Sequence, residues 1–276
     1  MDQAFPSPPA AVPLSVSQLV RAHSRERLLV RPTSWTQRHL ELLGCSFSGP
    51  SLAPAGPTPD SPGNPKFNYL RCVFEEWRSQ ARDRQGAIVD LLAEYGPFEH
   101  RDNIQFSFRR RHAQILSCAL FLSSPKQGKG EWPPIIAAHI DLQHIDALRF
   151  KALKIPSEHS ARAFSNPKRN KITPQNHLHD PYIVALLIAL AQGNRLRASL
   201  RGEPDLLLPP SQVLVTSLDG ELIYLYTAHV TQLFLQSFDD PTFKPSEPIS
   251  ISVQITAISV KPYETLCDRI TTLLLS

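Results

Sequence analysis

The residue types best suited to metal or acid–base chemistry are concentrated in two short stretches. HIDLQHID spans residues 139–146, and HLHDP spans residues 177–181. Imidazole and carboxylate groups are good ligands for zinc, manganese and iron. If the two stretches meet in the folded chain, they could form a metal centre that activates water for hydrolysis. The candidate metal ligands are His139, Asp141, His144, His177, His179 and Asp180.

A structural interpretation competes with the metal centre in both stretches. No single regular structure gathers the first set, because a strand places His139 and Asp141 on one face whereas a helix pairs Asp141 with His144. Asp141 can instead cap a helix that begins there. Asp180 directly precedes Pro181, and an acidic N-cap followed by proline is typical of a helix start. We therefore favour helix capping for both aspartates and keep the metal centre as the alternative.

Hydrophobic periodicity predicts an α+β fold, in which helices pack on a mixed β-sheet. An apolar stripe over residues 69–95 predicts a long helix, and the apolar run 181–192 predicts a second one. Residues 249–256 alternate between apolar and polar side chains, which indicates a half-exposed strand. Asp219 and Gly220 separate two further strand-like runs and predict a hairpin turn.

Proline, glycine and serine divide the chain of 276 residues, which contains 26 prolines, into four parts. Residues 1–14 are predicted to be a disordered lead, and residues 15–44 to contain short helices. Residues 45–65 combine Pro, Gly and Ser, which is typical of a linker or surface loop. Residues 45–65 either separate two domains or form a surface loop of a single domain. Residues 66–276 are predicted to form the main globular α+β domain.

The predicted order of elements after residue 180 is helix, two strands, helix, strand and helix. This order is similar to the core of PD-(D/E)xK nucleases, which hold Mg²⁺ with an acidic residue and a Glu-x-Lys pair on the next strand. Asp219 and Glu221 are present, but Ile223 stands at the lysine position and no lysine follows until Lys244. The resemblance therefore implies a nuclease-like topology without the catalytic residues of that family.

Composition and charge exclude several classes of protein. A net charge of +4 is mildly basic and allows an acidic partner without requiring one. The four cysteines, Cys45, Cys72, Cys118 and Cys267, form no C-x-x-C pair, which disfavours a zinc knuckle or a redox dithiol. Cys72, Cys118 and Cys267 lie in apolar-periodic segments, so they are expected to be buried thiols in a reducing compartment. The N-terminus lacks a signal-peptide pattern, and no apolar run reaches the ~18 residues of a membrane span. We expect a soluble, intracellular protein that does not enter a membrane.

Several common catalytic and nucleotide-binding motifs do not occur in the sequence. Missing are the glycine-rich fingerprints of dinucleotide and P-loop enzymes, the nucleophile elbow of serine hydrolases and the HExxH motif of zinc proteases. Two basic stretches, 108–112 and 161–171, could contact phosphates or nucleic acid. Charge runs are more often solvated loops, so nucleic-acid binding is the weaker interpretation. The sequence identifies no cofactor.

Several long stretches resemble a family of uncharacterised proteins from filamentous fungi. The resemblance runs from about residue 33 to the C-terminus and includes HDPYIVALLIALAQ, LYTAHVTQLFLQSFDDP and KPYETLCDRI. It implies no established activity, cofactor or catalytic residue. Members of such families often lie beside secondary-metabolite genes, so the resemblance implies a role accessory to a biosynthetic pathway.

Two functions remain after these exclusions. The first is an intracellular, non-catalytic binding or regulatory protein with an unidentified protein or small-molecule partner. The second is a metal-dependent hydrolase or nuclease-like enzyme that uses the histidines and aspartates of the two stretches. The first predicts that those side chains cap helices or point apart. The second predicts that at least three of them lie close enough to hold one ion, with metal–ligand distances of about 2.0–2.2 Å.

Overall fold

Seven strands form one mixed sheet in the computed structural model of the protein. The strands are β1 (Cys45–Leu52), β2 (Phe98–Phe108), β3 (His112–Ser123), β4 (Ile135–Asp141), β5 (Ser211–Thr216), β6 (Leu222–Ala228) and β7 (Ile251–Ser259). Their order across the sheet is β1-β7-β6-β5-β4-β3-β2. β1 pairs in parallel with β7, and β4 pairs in parallel with β5, whereas all other neighbours are antiparallel. The mixed sheet confirms the predicted α+β fold.

Among the described residues, helices lie in three of the six connections between consecutive strands, β1–β2, β4–β5 and β6–β7. The α-helices are α1 (Val16–Ala22), α2 (Gln37–Leu42), α3 (Pro65–Arg71), α4 (Ala81–Val89), α5 (Leu142–Ala152), α6 (Pro181–Leu200), α7 (Gln232–Asp239) and α8 (Leu266–Leu275). Shorter helical segments are Pro32–Ser34, Cys72–Glu76, Asp90–Glu94, His177–His179 and Tyr263–Thr265. The structure describes residues 14–26, 28–54, 65–76, 81–108, 112–124, 132–153, 170–203 and 207–276. Residues 1–13 of the predicted disordered lead and residues 55–64 of the predicted linker lie outside these ranges.

The two faces of the sheet carry separate hydrophobic clusters. Successive residues of β5 alternate between them, because Val213 and Val215 belong to one cluster and Leu214 to the other. This alternation is expected when the side chains of a strand point to opposite faces. The first cluster includes buried residues of α2, α5, α6 and α7, and the second includes residues of α3, α4 and α8. The middle of the sheet is therefore covered by helices on both sides.

Helix α6 occupies the centre of the first cluster. Every residue from Pro181 to Gln192 is buried, so this half of the helix has no solvent-facing side. By length and composition alone the segment His177–Leu200 could cross a membrane, but 67% of its most apolar window is buried inside the protein. A helix in a protein core meets the same criteria. Burial of the first half of α6 on all sides requires that the polar groups at its start find partners within the protein.

Two side-chain amides tie the second half of α6 to the sheet. Asn194 accepts a hydrogen bond from the backbone N–H of Ile135 at 2.8 Å and donates one to its carbonyl oxygen at 2.9 Å. Gln192 makes the same pair of contacts with Ser107, at 3.0 and 2.8 Å. Each amide thus satisfies the two backbone groups that a neighbouring strand would otherwise pair. The helix is held in register with β2 and β4.

The first part of the predicted linker is a strand. Residues 45–52 form β1 and pair in parallel with β7, so the prediction of a linker or loop is wrong for these eight residues. Gly49 has φ +101°, and a Cβ atom there would lie 2.4 Å from the carbonyl oxygen of Ile255. Only glycine allows this approach of the two backbones. β1 lies at the sheet edge and contains polar side chains, glycine and proline. Its sequence therefore lacks the alternation of apolar and polar residues by which strands are predicted.

The described residues of the long helix predicted over residues 69–95 are helical up to Glu94. The described part consists of α3, a π-helical segment at Cys72–Glu76, α4 and a second π-helical segment at Asp90–Glu94. Residues 77–80 lie outside the described ranges. The hairpin predicted at Asp219 and Gly220 is confirmed, because β5 and β6 pair in antiparallel fashion around it. The strand predicted at 249–256 is confirmed as β7, which begins at Ile251.

The contact of Asn194 with β4 yields a stability prediction. We expect Asn194→Ala to lower the free energy of unfolding by about 2–4 kcal/mol, because it leaves a buried N–H and a buried C=O of Ile135 without partners. Urea denaturation followed by circular dichroism measures the change. The matched control is Gln236→Ala on the exposed side of α7, which should change stability by less than about 0.5 kcal/mol. Equal effects of the two substitutions would contradict the role assigned to Asn194.

Candidate functional site

The first candidate stretch begins on a strand and continues into a helix. His139 and Asp141 lie on the same face of β4, and both side chains are completely buried. The strand ends at Asp141, and α5 begins at the next residue. Asp141 is the N-cap of α5, since its Oδ1 accepts a hydrogen bond from the backbone N–H of Gln143 at 2.8 Å. The capping role predicted for Asp141 is confirmed.

Arg84 of α4 neutralises Asp141 inside the protein. Its Nε donates to Oδ2 of Asp141 at 2.7 Å, and its Nη2 donates to Oδ1 at 3.0 Å. Burial raises the pKa of Asp141, and the hydrogen bond from Arg84 opposes that rise. The position of Arg84 in the sequence indicates that it has a buried partner. Arg84 stands between Ala81 and Ile88 on the apolar stripe, where a charged side chain requires a buried partner.

The two histidines of the first stretch make separate contacts. His139 Nε2 lies 2.9 Å from Oγ1 of Thr216, and desolvation lowers the pKa of His139 to about 3. His144 Nδ1 lies 2.9 Å from Oε1 of Gln85 and its Nε2 3.5 Å from Oγ of Ser117. Burial also lowers the pKa of His144. A completely buried imidazole with a pKa near 3 is a poor proton acceptor at neutral pH.

The second candidate stretch forms the entrance to α6. Asp180 is the N-cap of α6 and accepts a hydrogen bond from the backbone N–H of Tyr182 at 2.8 Å, which confirms its predicted capping role. The buried Arg149 of α5 donates a hydrogen bond to the same carboxylate. The ring of His179 stacks on Phe47 of β1, with 4.4 Å between ring centroids. His177 is exposed to solvent.

The structure does not bring the six candidate ligands together into one centre. Within the described part of the chain, which includes all six, no group of three or more His, Cys, Asp or Glu residues is arranged to hold a metal ion. Both oxygens of Asp141 contact Arg84, and Oδ1 of Asp180 contacts Arg149. Guanidinium groups therefore occupy the positions from which a cation would be bound. The two aspartates begin helices and balance buried arginines.

The turn that resembled a nuclease site is also held by local hydrogen bonds. Oδ1 of Asp219 accepts from the hydroxyl of Ser217 and from the backbone N–H of Glu221. The hydrogen bond from Ser217 is the largest cause of the lowered pKa of Asp219. These contacts close the hairpin between β5 and β6. Of the two basic stretches, residues 109–111 and 161–169 lie outside the described ranges.

A cavity of about 280 Å³ lies between the N-terminal helices, the outer strands β2 and β3, and α7. Fourteen described side chains line it, and twelve of them are apolar. The sequence analysis missed this site because its walls come from four separate parts of the chain. The lining residues are Val16, Leu19, Val20, Leu28, Leu29, Val30, Trp35, His39, Leu42, Leu43, Phe106, Phe108, Gln114 and Phe238.

Aromatic rings form one wall of this cavity, which we call the aromatic cavity. Trp35 meets Phe106 edge to face, with 5.6 Å between ring centroids and 85° between ring planes. Phe238 meets Phe106 in the same way at 6.2 Å. Trp35 also stacks on His39 at 5.7 Å. The backbone N–H of Thr36 donates to Nδ1 of His39 at 3.0 Å, so the proton of the neutral ring resides on Nε2.

The opposite wall is held in place by contacts between the N-terminal segment and α2. The indole N–H of Trp35 donates to the carbonyl oxygen of Val30 at 3.3 Å. On the surface, Arg38 of α2 binds both carboxylate oxygens of Glu26, at 3.0 and 3.3 Å. These contacts position the aliphatic side chains of residues 16–30 above the aromatic rings.

A second, open groove of about 1070 Å³ runs between β2, α6 and α7. Its lining is more polar than that of the aromatic cavity and includes Gln192, Arg195 and Asp239. Gln192 is engaged with Ser107, and Arg195 is paired with Asp239. These three polar side chains thus serve contacts within the protein. The aromatic cavity, with its apolar lining, is the better candidate for a ligand site.

Comparisons of the chain with protein-family models, with curated proteins and with solved structures found no match. The resemblance to fungal proteins therefore stays a prediction. Functional inference rests on the geometry of the chain itself.

The burial of His139 yields a prediction for the pH dependence of stability. Its pKa is about 3 in the folded state and 6.5 in the reference state, so the unfolded chain binds a proton more readily between these values. The free energy of unfolding should therefore decrease as pH falls below 6.5, with His139 contributing about 1.4 kcal/mol per pH unit. Urea denaturation of wild type and His139→Gln between pH 7 and pH 5 measures this contribution.

The His139→Gln variant should lose part of the pH dependence, whereas His177→Gln, which changes an exposed side chain, should keep it. A wild-type pH dependence in His139→Gln would show that the buried ring does not determine acid sensitivity.

The pairing of the aspartates with arginines yields a prediction for metal binding. We expect Zn²⁺, Mn²⁺ or Mg²⁺ added after EDTA treatment to leave the melting midpoint unchanged, because a ligand stabilises the fold only if it binds the folded state. Elemental analysis of untreated protein should find no stoichiometric metal. A midpoint that rises with metal, and fails to rise in His139→Ala or His179→Ala, would restore the two stretches as a metal centre.

Proposed function

We propose that the protein is an intracellular, non-catalytic binding or regulatory protein and that the aromatic cavity is its small-molecule site. The observation that carries this proposal is the cavity of about 280 Å³ with twelve apolar side chains among its fourteen lining residues. Ligand sites are concave and mostly apolar, with a few polar groups that orient the ligand. His39 and Gln114 are the polar residues of this lining.

The engagement of the candidate catalytic residues supports a non-catalytic role. Asp141 and Asp180 cap helices and pair with Arg84 and Arg149, and His139 is held against Thr216 in the core. A general base needs access to substrate and a pKa near the working pH. The buried His139 meets neither condition. Asp141, Asp180 and His139 therefore have structural partners in the fold.

We propose that this binding role belongs to a pathway of fungal secondary metabolism. The proposal extends the resemblance of the sequence to filamentous-fungal proteins, for which an accessory role in a biosynthetic pathway is expected. Such pathways produce low-mass, largely apolar compounds, and these match the character of the cavity. A protein that binds such a compound could carry it, sense it or protect it without changing it.

A screen of thermal stability tests the proposal. The panel contains neutral aromatic, neutral aliphatic and charged compounds of low mass. We expect at least one neutral compound to raise the melting midpoint in a saturable manner, because ligand binding stabilises the folded state by RT ln(1 + [L]/Kd). Mass spectrometry should recover the bound compound chemically unchanged.

Cavity-filling variants supply the control. Val20→Phe and Leu42→Phe place bulk on two different walls of the cavity and should abolish the shift, whereas Ala22→Phe on the exposed side of α1 should preserve it. The proposal is wrong if no compound of any class shifts the midpoint, if the shift survives both filling variants, or if the compound is converted to a product.

A further inference from the structure

The lining residues and the volume of the aromatic cavity define a class of ligand. We propose that its ligand is a neutral, planar aromatic compound with one or two fused rings and a single hydroxyl or carbonyl group that contacts Gln114. This inference rests on the proposed binding function and specifies its ligand. Charge, shape, volume and the position of the polar residue each support one part of it.

The charge of the ligand follows from the lining. None of the described side chains that line the cavity is Asp, Glu, Lys or Arg. Transferring an ionised group from water to an apolar site without a partner costs many kcal/mol, so a charged compound is rejected. A neutral compound loses little hydration on entry and gains dispersion contacts with the walls.

The planarity of the ligand follows from the geometry of the rings. The planes of Trp35 and Phe106 are 85° apart, and so are those of Phe106 and Phe238. Phe108 meets Phe238 at 82°. Aromatic pairs are stabilised by edge-to-face or offset stacked contacts beyond the effect of burial alone. The aromatic rings of the lining can make such contacts with a flat aromatic guest, whereas a puckered saturated ring of the same size gains only the effect of burial.

The size of the ligand follows from the volume. An engineered apolar cavity of about 150 Å³ binds benzene. The aromatic cavity, at about 280 Å³, is nearly twice as large and admits a two-ring compound. The cavity is partly open to solvent, so a larger polycyclic compound would leave its further rings outside the apolar lining.

Gln114 supplies the polar contact. It lies on β3 directly opposite Phe106 of β2, and its side chain lines the cavity. The side chain is half-buried and makes no hydrogen bond to another described residue. An amide offers both donors and an acceptor, so it can meet a hydroxyl or a carbonyl group. One polar group on an otherwise apolar ring system would fix the orientation of the ligand.

Isothermal titration calorimetry with three probes of one carbon skeleton tests the ligand class in the full chain at pH 7. 2-Naphthol is planar, neutral and carries a hydroxyl group. Decahydro-2-naphthol keeps the hydroxyl group but is puckered, and 2-naphthoate is planar but charged. We expect 2-naphthol to bind at least about tenfold more tightly than decahydro-2-naphthol, through its aromatic contacts. 2-Naphthoate should show no binding.

Variants connect the binding to the site. Gln114→Leu should weaken the binding of 2-naphthol by about fivefold, as expected for one hydrogen bond, and leave the affinity for naphthalene unchanged. Melting curves establish that the variant folds. If it does not, the affinity ratio of 2-naphthol to naphthalene in the wild type measures the same contact, and equal affinities would overturn the role of Gln114. Val20→Phe should abolish binding of 2-naphthol.

The possible failures are distinguishable. If decahydro-2-naphthol or 2-naphthoate binds as tightly as 2-naphthol, the ligand class is wrong and the binding function stands. The ligand class is also wrong, and the binding function stands, if none of the probes binds but another compound of the thermal screen binds to the wild type and not to Val20→Phe. If 2-naphthol binds equally well to Val20→Phe and Leu42→Phe, the ligand lies elsewhere and both the ligand class and the assigned site are wrong.

Discussion

The burial of the first half of α6 is the constraint on which the arrangement of the other elements depends. A helix that begins inside the protein core must satisfy the backbone N–H groups of its first turn with partners inside the protein. At the start of α6, Asp180 provides the cap, and its charge requires Arg149, which fixes α5 beside α6. Further along, Gln192 and Asn194 bind the backbone of β2 and β4. The position of one helix thus fixes β2 and β4 against it, and β2 contributes Phe106 to the aromatic wall.

Two buried ion pairs show why motif-like residues can mislead. Asp141 and Asp180 have the residue type and the histidine neighbours of metal ligands, yet each begins a helix and faces an arginine. Breaking a buried pair costs several kcal/mol because it leaves one charge uncompensated. A metal ion would have to displace Arg84 or Arg149 before it could bind. The local sequence around an aspartate does not contain this information, because the competing arginine comes from another helix.

Local signals in the sequence predicted local features, whereas contacts between distant segments remained hidden. The caps at Asp141 and Asp180, the hairpin at Asp219 and the alternating strand β7 each depend on a few adjacent residues, and all four are confirmed. β1 was missed because its pairing with β7 comes from more than 200 positions away. The aromatic cavity was missed for the same reason, since its walls combine residues 16–43 with Phe106, Phe108, Gln114 and Phe238.

The apolar lining of the cavity supports its assignment as a binding site. The cavity is partly open to solvent, so its apolar side chains lack close contacts with protein atoms on one side until a ligand covers them. Larger or closer-packed side chains at Val20 or Leu42 would remove the cavity without altering the sheet. A fold that keeps the space, and surrounds it with rings held edge to face, gains the missing dispersion contacts only when a matching molecule enters. Ligand binding would therefore supply the contacts that the walls of the cavity lack in the free protein.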